Sequence, residues 1–145
     1  MGTENNEKII WNNNLSIGNV KIDEDHKRMV NICNELIDYV QSPNTKRDEF
    51  ARLLSSMTDY SLTHFQREEQ YMLNLSYPKL AEHKNHHKSY IYKVAMYNVN
   101  LLGSNPPDPK EILVFLKDWW SSHIMKTDSE YEKYRVEQAK TDVTY

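Results

Sequence analysis

Helix-breaking residues are scarce in this chain. Only 3 of its 145 residues are glycine and 5 are proline. Turn-rich β architectures need more of both, so long unbroken helices are the expected material. Cysteine is scarcer still: the single one, Cys33, excludes an internal disulfide and fits a reducing compartment. No apolar run approaches the roughly 20 residues that cross a bilayer, so no membrane span is expected. The opening Met1-Gly2-Thr3-Glu4-Asn5-Asn6 has no apolar signal core, and Asn6 stands where a myristoylation signal needs serine or threonine. A cytoplasmic address is therefore expected. Basic charge is also short. Lys and Arg number 18 against 21 Asp and Glu, a formal net charge of −3, with no basic cluster, so no nucleic-acid partner is expected.

What the chain does have is helical rhythm. Residues 1–22 are polar and Asn-rich, with anchors at Ile9, Ile10, Trp11, Leu15, Ile17 and Ile22. They read as an irregular arm docking on a single domain of residues 23–145. Asp23 is the expected N-cap of a first helix. Its stripe is His26, Met29, Val30, Cys33, Leu36, Ile37 and Val40, the spacing of one helix face. Ser42-Pro43-Asn44 ends it, and Thr45 can cap a second helix. That helix carries Phe50, Leu53, Leu54, Met57, Tyr60, Ser61, His64, Glu68, Tyr71 and Met72 up to a break at residues 74–78. A third carries Leu80, His83, His87, Tyr90, Ile91, Val94 and Leu101. After the loop 103–107, Asp108 followed by Pro109 is an N-cap and a proline at the first helical position. The fourth stripe is Ile112, Leu113, Leu116, Trp119, Trp120 and His123. Short connections make neighbours antiparallel, which predicts an all-α, up-down-up-down four-helix bundle. A short fifth helix after Asp128 is expected, with Tyr131 and Tyr134 as anchors.

Five of the six histidines sit on these apolar stripes. A buried imidazole needs a partner, and one metal centre satisfies all five together. His64/Glu68 and His83/His87 are i, i+4 pairs, which lie one above the other. His123 and Asp128 are five apart, off-register on a regular helix, so the helix must loosen between residues 124 and 127. His86 lies about 100° around the helix from His87 and reads as a solvated or outer group. The candidate ligands are therefore His26, His64, Glu68, His83, His87, His123 and Asp128. Imidazole with carboxylate suits iron, zinc or manganese, and seven donors are too many for one ion. Two octahedral irons sharing one oxide or hydroxide would have every position filled but one, and a vacancy is what separates a reactive site from a structural one. No carboxylate is spare to shift during oxygen cleavage, so reversible binding is expected rather than oxygenation, with no catalytic residue.

The stretches Trp11…Leu15-Ser16-Ile17-Gly18…Asp25-His26-Lys27, His64-Phe65…Glu68-Glu69…Met72, His83-Lys84…His87 and Trp119…His123-Ile124…Asp128…Tyr131 resemble the hemerythrin family in its single-domain bacterial form. The resemblance implies two Fe ions in a non-haem, oxo- or hydroxo-bridged centre that binds O2 reversibly for storage, transport or delivery. It implies His83, His87 and His123 on a coordinatively full iron, and His26 and His64 on the iron with the vacancy. Glu68 and Asp128 would bridge. Trp119 fits the family pattern. Trp120 departs from it, standing where relatives often carry a leucine near the oxygen pocket, so both tryptophans are candidate pocket residues. Partners would be O2 and, for delivery, an oxygen-consuming enzyme. Three other readings stay open: sensing through a partner protein, a di-iron redox enzyme (ferroxidase, peroxidase or nitric-oxide reduction), and a zinc protein. Oligomeric state is not legible.

Overall fold

The computed structural model describes residues 8–42 and 46–142, all helix, turn and irregular arm without a strand. The expected helix end at Pro43-Asn44 and the Thr45 cap lie outside the described residues. Four helices form the bundle: α1 (Val20–Gln41), α2 (Arg47–Asn74), α3 (Leu80–Leu101) and α4 (Pro109–Ser122). Helix α2 packs on α1 and α3, and α4 packs on α1.

Helix α1 begins earlier than its sequence suggests. Asn19, not Asp23, is the N-cap, its side chain accepting the Ile22 N–H at 3.1 Å; such a cap contributes about 1 kcal/mol. Asp23 is used instead to hold the arm, accepting from Ser16 Oγ and from the Ile17 N–H at 2.9 Å. Gly18 between them has φ +84°, a conformation glycine adopts without steric cost. Upstream, the Asn34 amide both accepts from the Ile9 N–H and donates to the Ile9 carbonyl. Ile10, read as an anchor, is 80% exposed, because Ile9 and Trp11 on either side of it are the residues that pack inward. Asp108 caps α4 as expected, accepting from the Lys110 N–H ahead of Pro109.

The fifth helix is not separate. Helix α4 runs through a π-helical turn (His123–Asp128) directly into α5 (Ser129–Asp142). In an α-helix, residues five apart are about 140° out of phase. The wider i→i+5 turn brings His123 and Asp128 back to one face, which is the loosening their spacing requires.

Two apolar clusters flank the middle of the bundle. The larger includes Met29, Phe65, Tyr90 and Trp120; the smaller is Ile17, Ile22, Met72, Tyr77 and Tyr131. Burying one such side chain stabilises by roughly 1.5–3 kcal/mol. Between them, at His26 on α1, Glu68 on α2, His83 and His87 on α3 and Asp128 in the π turn, the core is polar. Among the described residues, no helix is long and apolar enough to cross a membrane.

Candidate metal centre

All seven sequence-derived candidates come together in this polar layer. Six are at most 1% exposed and His83 is 3% exposed. The two carboxylates divide their oxygens between two sets of imidazoles. Glu68 Oε1 lies 2.8 Å from His87 Nε2, 3.2 Å from His83 Nε2 and 3.3 Å from His123 Nε2. Its Oε2 lies 3.5 Å from His64 Nε2 and 3.7 Å from His26 Nε2. Asp128 repeats the division: Oδ1 is 2.8 Å from His123 and 3.0 Å from His83, and Oδ2 is 2.8 Å from His26. The donors thus form a lobe of His83, His87 and His123 and a lobe of His26 and His64, with both carboxylates common to the two.

Hydrogen bonding alone does not account for this arrangement. Both Asp128 oxygens are buried and none of the nearby N–H groups is aligned to donate to them. Nε2 faces Nε2 at 3.1 Å for His26 and His64 and at 3.3 Å for His87 and His123. Lone pairs aimed into a shared space are the arrangement that cations satisfy. The donor set of imidazole nitrogen and carboxylate oxygen, in two lobes with shared carboxylates, fits a pair of first-row metals such as iron.

The groups behind the imidazoles are where sequence reasoning fell short. Asp25, 1% exposed, accepts from His64 Nδ1 at 3.0 Å, from Tyr60 Oη at 3.2 Å and from Arg67 Nη1. Glu69 accepts from His87 Nδ1 at 2.8 Å. A carboxylate on Nδ1–H fixes the tautomer and leaves the Nε2 lone pair for the metal. Both acids are visible in the sequence, but nothing there pairs Asp25 with a histidine on another helix. Tyr131, expected as an anchor of the fifth helix, donates to Glu68 Oε2 at 3.0 Å. His86 is the outer group that its angle on the helix suggests. It is half-buried, and its ring lies parallel to those of Trp119 and His123, with centroids 5.0 and 5.1 Å away. Trp119 also stacks on His123 at 4.3 Å. Trp120 is fully buried between the lobes, 5.9 Å from His123, 6.0 Å from His64 and 6.5 Å from His26, and its Nε1–H donates to Tyr90 Oη at 3.0 Å.

Charge in the metal-free site is balanced by protons. Burial opposes protonation of His26, His64 and His83, but the carboxylates prevail. His64 is pushed up to about 10 by Glu68 and Asp25, and His83 to about 9 by Asp128 and Glu68. Burial pushes Asp128 up, yet the imidazoles of His123 and His26 hold it down at about 2. Burial lowers His87, and burial with the three imidazoles around it lowers His86 to about 4. Histidines raised in the folded state stabilise it fully below pH 6.5, and that contribution is lost as pH rises through about 9 to 10. The metal-free chain should therefore melt at a lower temperature at pH 10 than at pH 7, as measured by circular dichroism after chelation. An equal or higher Tm at pH 10 would contradict the proton balance described.

The comparisons agree with this geometry. The hemerythrin HHE cation binding domain family matches residues 18–134. A bacteriohemerythrin of Clostridium acetobutylicum is 29% identical over 126 residues, covering 85% of this chain and 98% of that protein. One from Pseudomonas aeruginosa is 32% identical over 124 residues, covering 85% and 78%. The crystal structure of a wild-type hemerythrin superposes with a TM-score of 0.80 at 25% identity, over 88% of this chain and 97% of the other. Matched over most of its length in sequence and in fold, with the paired-lobe site inside the match, the chain belongs to the hemerythrin family.

Proposed function

We infer that the chain binds O2 reversibly at a non-haem di-iron centre, for storage, transport or delivery. The observation that carries this is the division of Glu68 and Asp128 between two imidazole lobes. Two irons bound there supply the electrons that O2 takes up on binding and returns on release. His83, His87 and His123 would hold one iron, His26 and His64 the other, and Glu68 and Asp128 both. Asp25 and Glu69 keep the Nδ1 protons of His64 and His87, so that Nε2 remains free. Tyr131 supplies an O–H at Glu68. Phe65, stacked on His87 at 3.9 Å, and Trp120, 6.0 Å from His64 and 5.9 Å from His123, exclude water across the centre, and a dry pocket limits loss of reduced oxygen and of electrons. Five imidazoles against two carboxylates, with none spare, support binding over catalysis.

The test is a titration of purified, anaerobically reduced protein. Two irons per chain and a visible oxy spectrum that appears with O2 and disappears on its removal are expected. Irreversible oxidation with turnover would assign the site to an enzyme instead.

Trp120 is the pocket residue most open to tuning. Trp120→Leu removes an indole from beside His64 and leaves Tyr90 Oη without its donor. The variant should autoxidise faster and bind azide faster, at a stability cost of about 2 kcal/mol. Unchanged autoxidation and azide kinetics would reduce Trp120 to core packing.

A further inference from the structure

We propose that the groove above His83 is the route by which ferrous iron reaches the centre, steered by Glu82, Glu130 and His86. The proposal rests on the di-iron reading above.

His83 is the most exposed of the seven candidates, and it forms part of a surface groove with Lys79, Glu82, His86, Thr127 and Glu130. The groove therefore ends on the centre itself. Helix α3 presents two parallel i, i+4 rows there. His83 and His87 point to the shared carboxylates. Glu82 and His86, about 100° around the helix, belong to the outer row, and both line the groove or its wall. His86 Nε2 is buried without a hydrogen-bond partner, on a ring that stacks against His123. Carboxylate and imidazole are donors that ferrous iron accepts. Neither Glu82, His86 nor Glu130 belongs to a converging set of donors among the described residues, so the groove passes a cation on rather than storing it.

Its position separates loading from gas binding. The groove opens on the His83/His87/His123 lobe. Both imidazoles of the His26/His64 lobe are 0% exposed, and neither lines the groove. Iron can then enter without a wet channel to the side that must stay dry. Lys79 marks the rim with the opposite sign. Its ammonium is 3.6 Å from Glu130, and both side chains are at least half exposed, so the pair is weak and Lys79 still repels an approaching cation.

That opposition gives the test its discriminating power. The full chain, stripped by chelation, is mixed anaerobically with Fe2+. Uptake is followed by quenching of tryptophan emission, since Trp119 and Trp120 lie 4.3 and 5.9 Å from the His123 ring. The double variant Glu82→Gln/Glu130→Gln should load about tenfold more slowly and still reach two irons per chain. Lys79→Gln should load faster than the unaltered chain, which a merely structural defect would not produce. Glu35→Gln, exposed on α1, should match the unaltered chain. Added salt should shrink the differences. Equal rates in all variants, or slower loading by Lys79→Gln, would overturn the route. If the unaltered chain binds no iron, it is the di-iron reading that fails.

Discussion

Glu68→Ala should abolish iron binding and give the largest change of any single substitution in this chain. Glu68 is the residue that reaches all five imidazoles, at distances between 2.8 and 3.7 Å. Its removal takes one donor from each lobe and leaves Asp128 alone against five imidazoles. Iron content should fall from two per chain to background, and the oxy spectrum should vanish. Stability should follow by mass action. An ion present at a thousandfold excess over its Kd contributes about 4 kcal/mol. Each kcal/mol is worth about 3 °C in a chain of this size, so loss of both ions lowers Tm by roughly 20 °C relative to the loaded protein. Glu68→Gln is the companion variant: it keeps the volume and one carbonyl oxygen, and should retain iron poorly. Full iron content in the alanine variant would refute the assignment of Glu68 as a shared ligand.

The second large effect is expected one layer out. Asp25→Ala should weaken iron retention by about 10- to 100-fold, the range found when a group holding a metal-bound histidine is lost. Three partners lose their acceptor at once: His64 Nδ1, Tyr60 Oη and Arg67 Nη1. The guanidinium would then face an imidazole that has lost its carboxylate. Asp25→Asn should fall between, because its carbonyl still accepts from Nδ1 while the charge is gone. A graded chelator challenge measures the retention, and the visible spectrum reports whether the His64 lobe is perturbed selectively. Glu69→Ala should perturb the other lobe through His87. If Asp25→Ala keeps its iron as firmly as the unaltered chain, Asp25 is a structural ion-pair partner of Arg67 and nothing more.

These outcomes also show which parts of the architecture are legible in one sequence. The bundle was, because four apolar stripes at helical spacing and short connections leave few alternatives. So was the clustering of the candidate residues, because six of the seven lie on the apolar stripe of their own helix and the structure brings all seven together. Even the π turn left a trace, in the five-residue gap between His123 and Asp128. What was not legible depends on pairing across helices. Asp25 in the first turns of α1 has a sufficient local explanation in the helix dipole. Its contact with His64, 39 residues on, has no local signature. The outer position of His86 was legible from its angle on α3, but its stacking on Trp119 and His123 was not, since those rings come from another part of the chain. Adjacent residues on a helix are about 100° apart, so Trp119 stacks on His123 while Trp120 lies between the lobes, near both His64 and His123, a difference the sequence does not reveal.

The π turn does more than bring Asp128 into line with His123. It sets the rotational phase of everything after it. Tyr131, which donates to Glu68, and Glu132, which accepts from Tyr71 at 3.1 Å, face the bundle because one extra residue is accommodated upstream. Deleting one residue between 124 and 127 would restore regular α geometry with that phase kept, whereas winding all six residues of the turn as regular α-helix would rotate α5 by about 100°. In that rotated helix a candidate ligand, Asp128, the Tyr131 hydroxyl on its fellow candidate Glu68, and the place of Tyr131 in the smaller apolar cluster would be lost together. The fourth helix therefore works as a keyed shaft: a single register step decides whether the last helix meets the site at all.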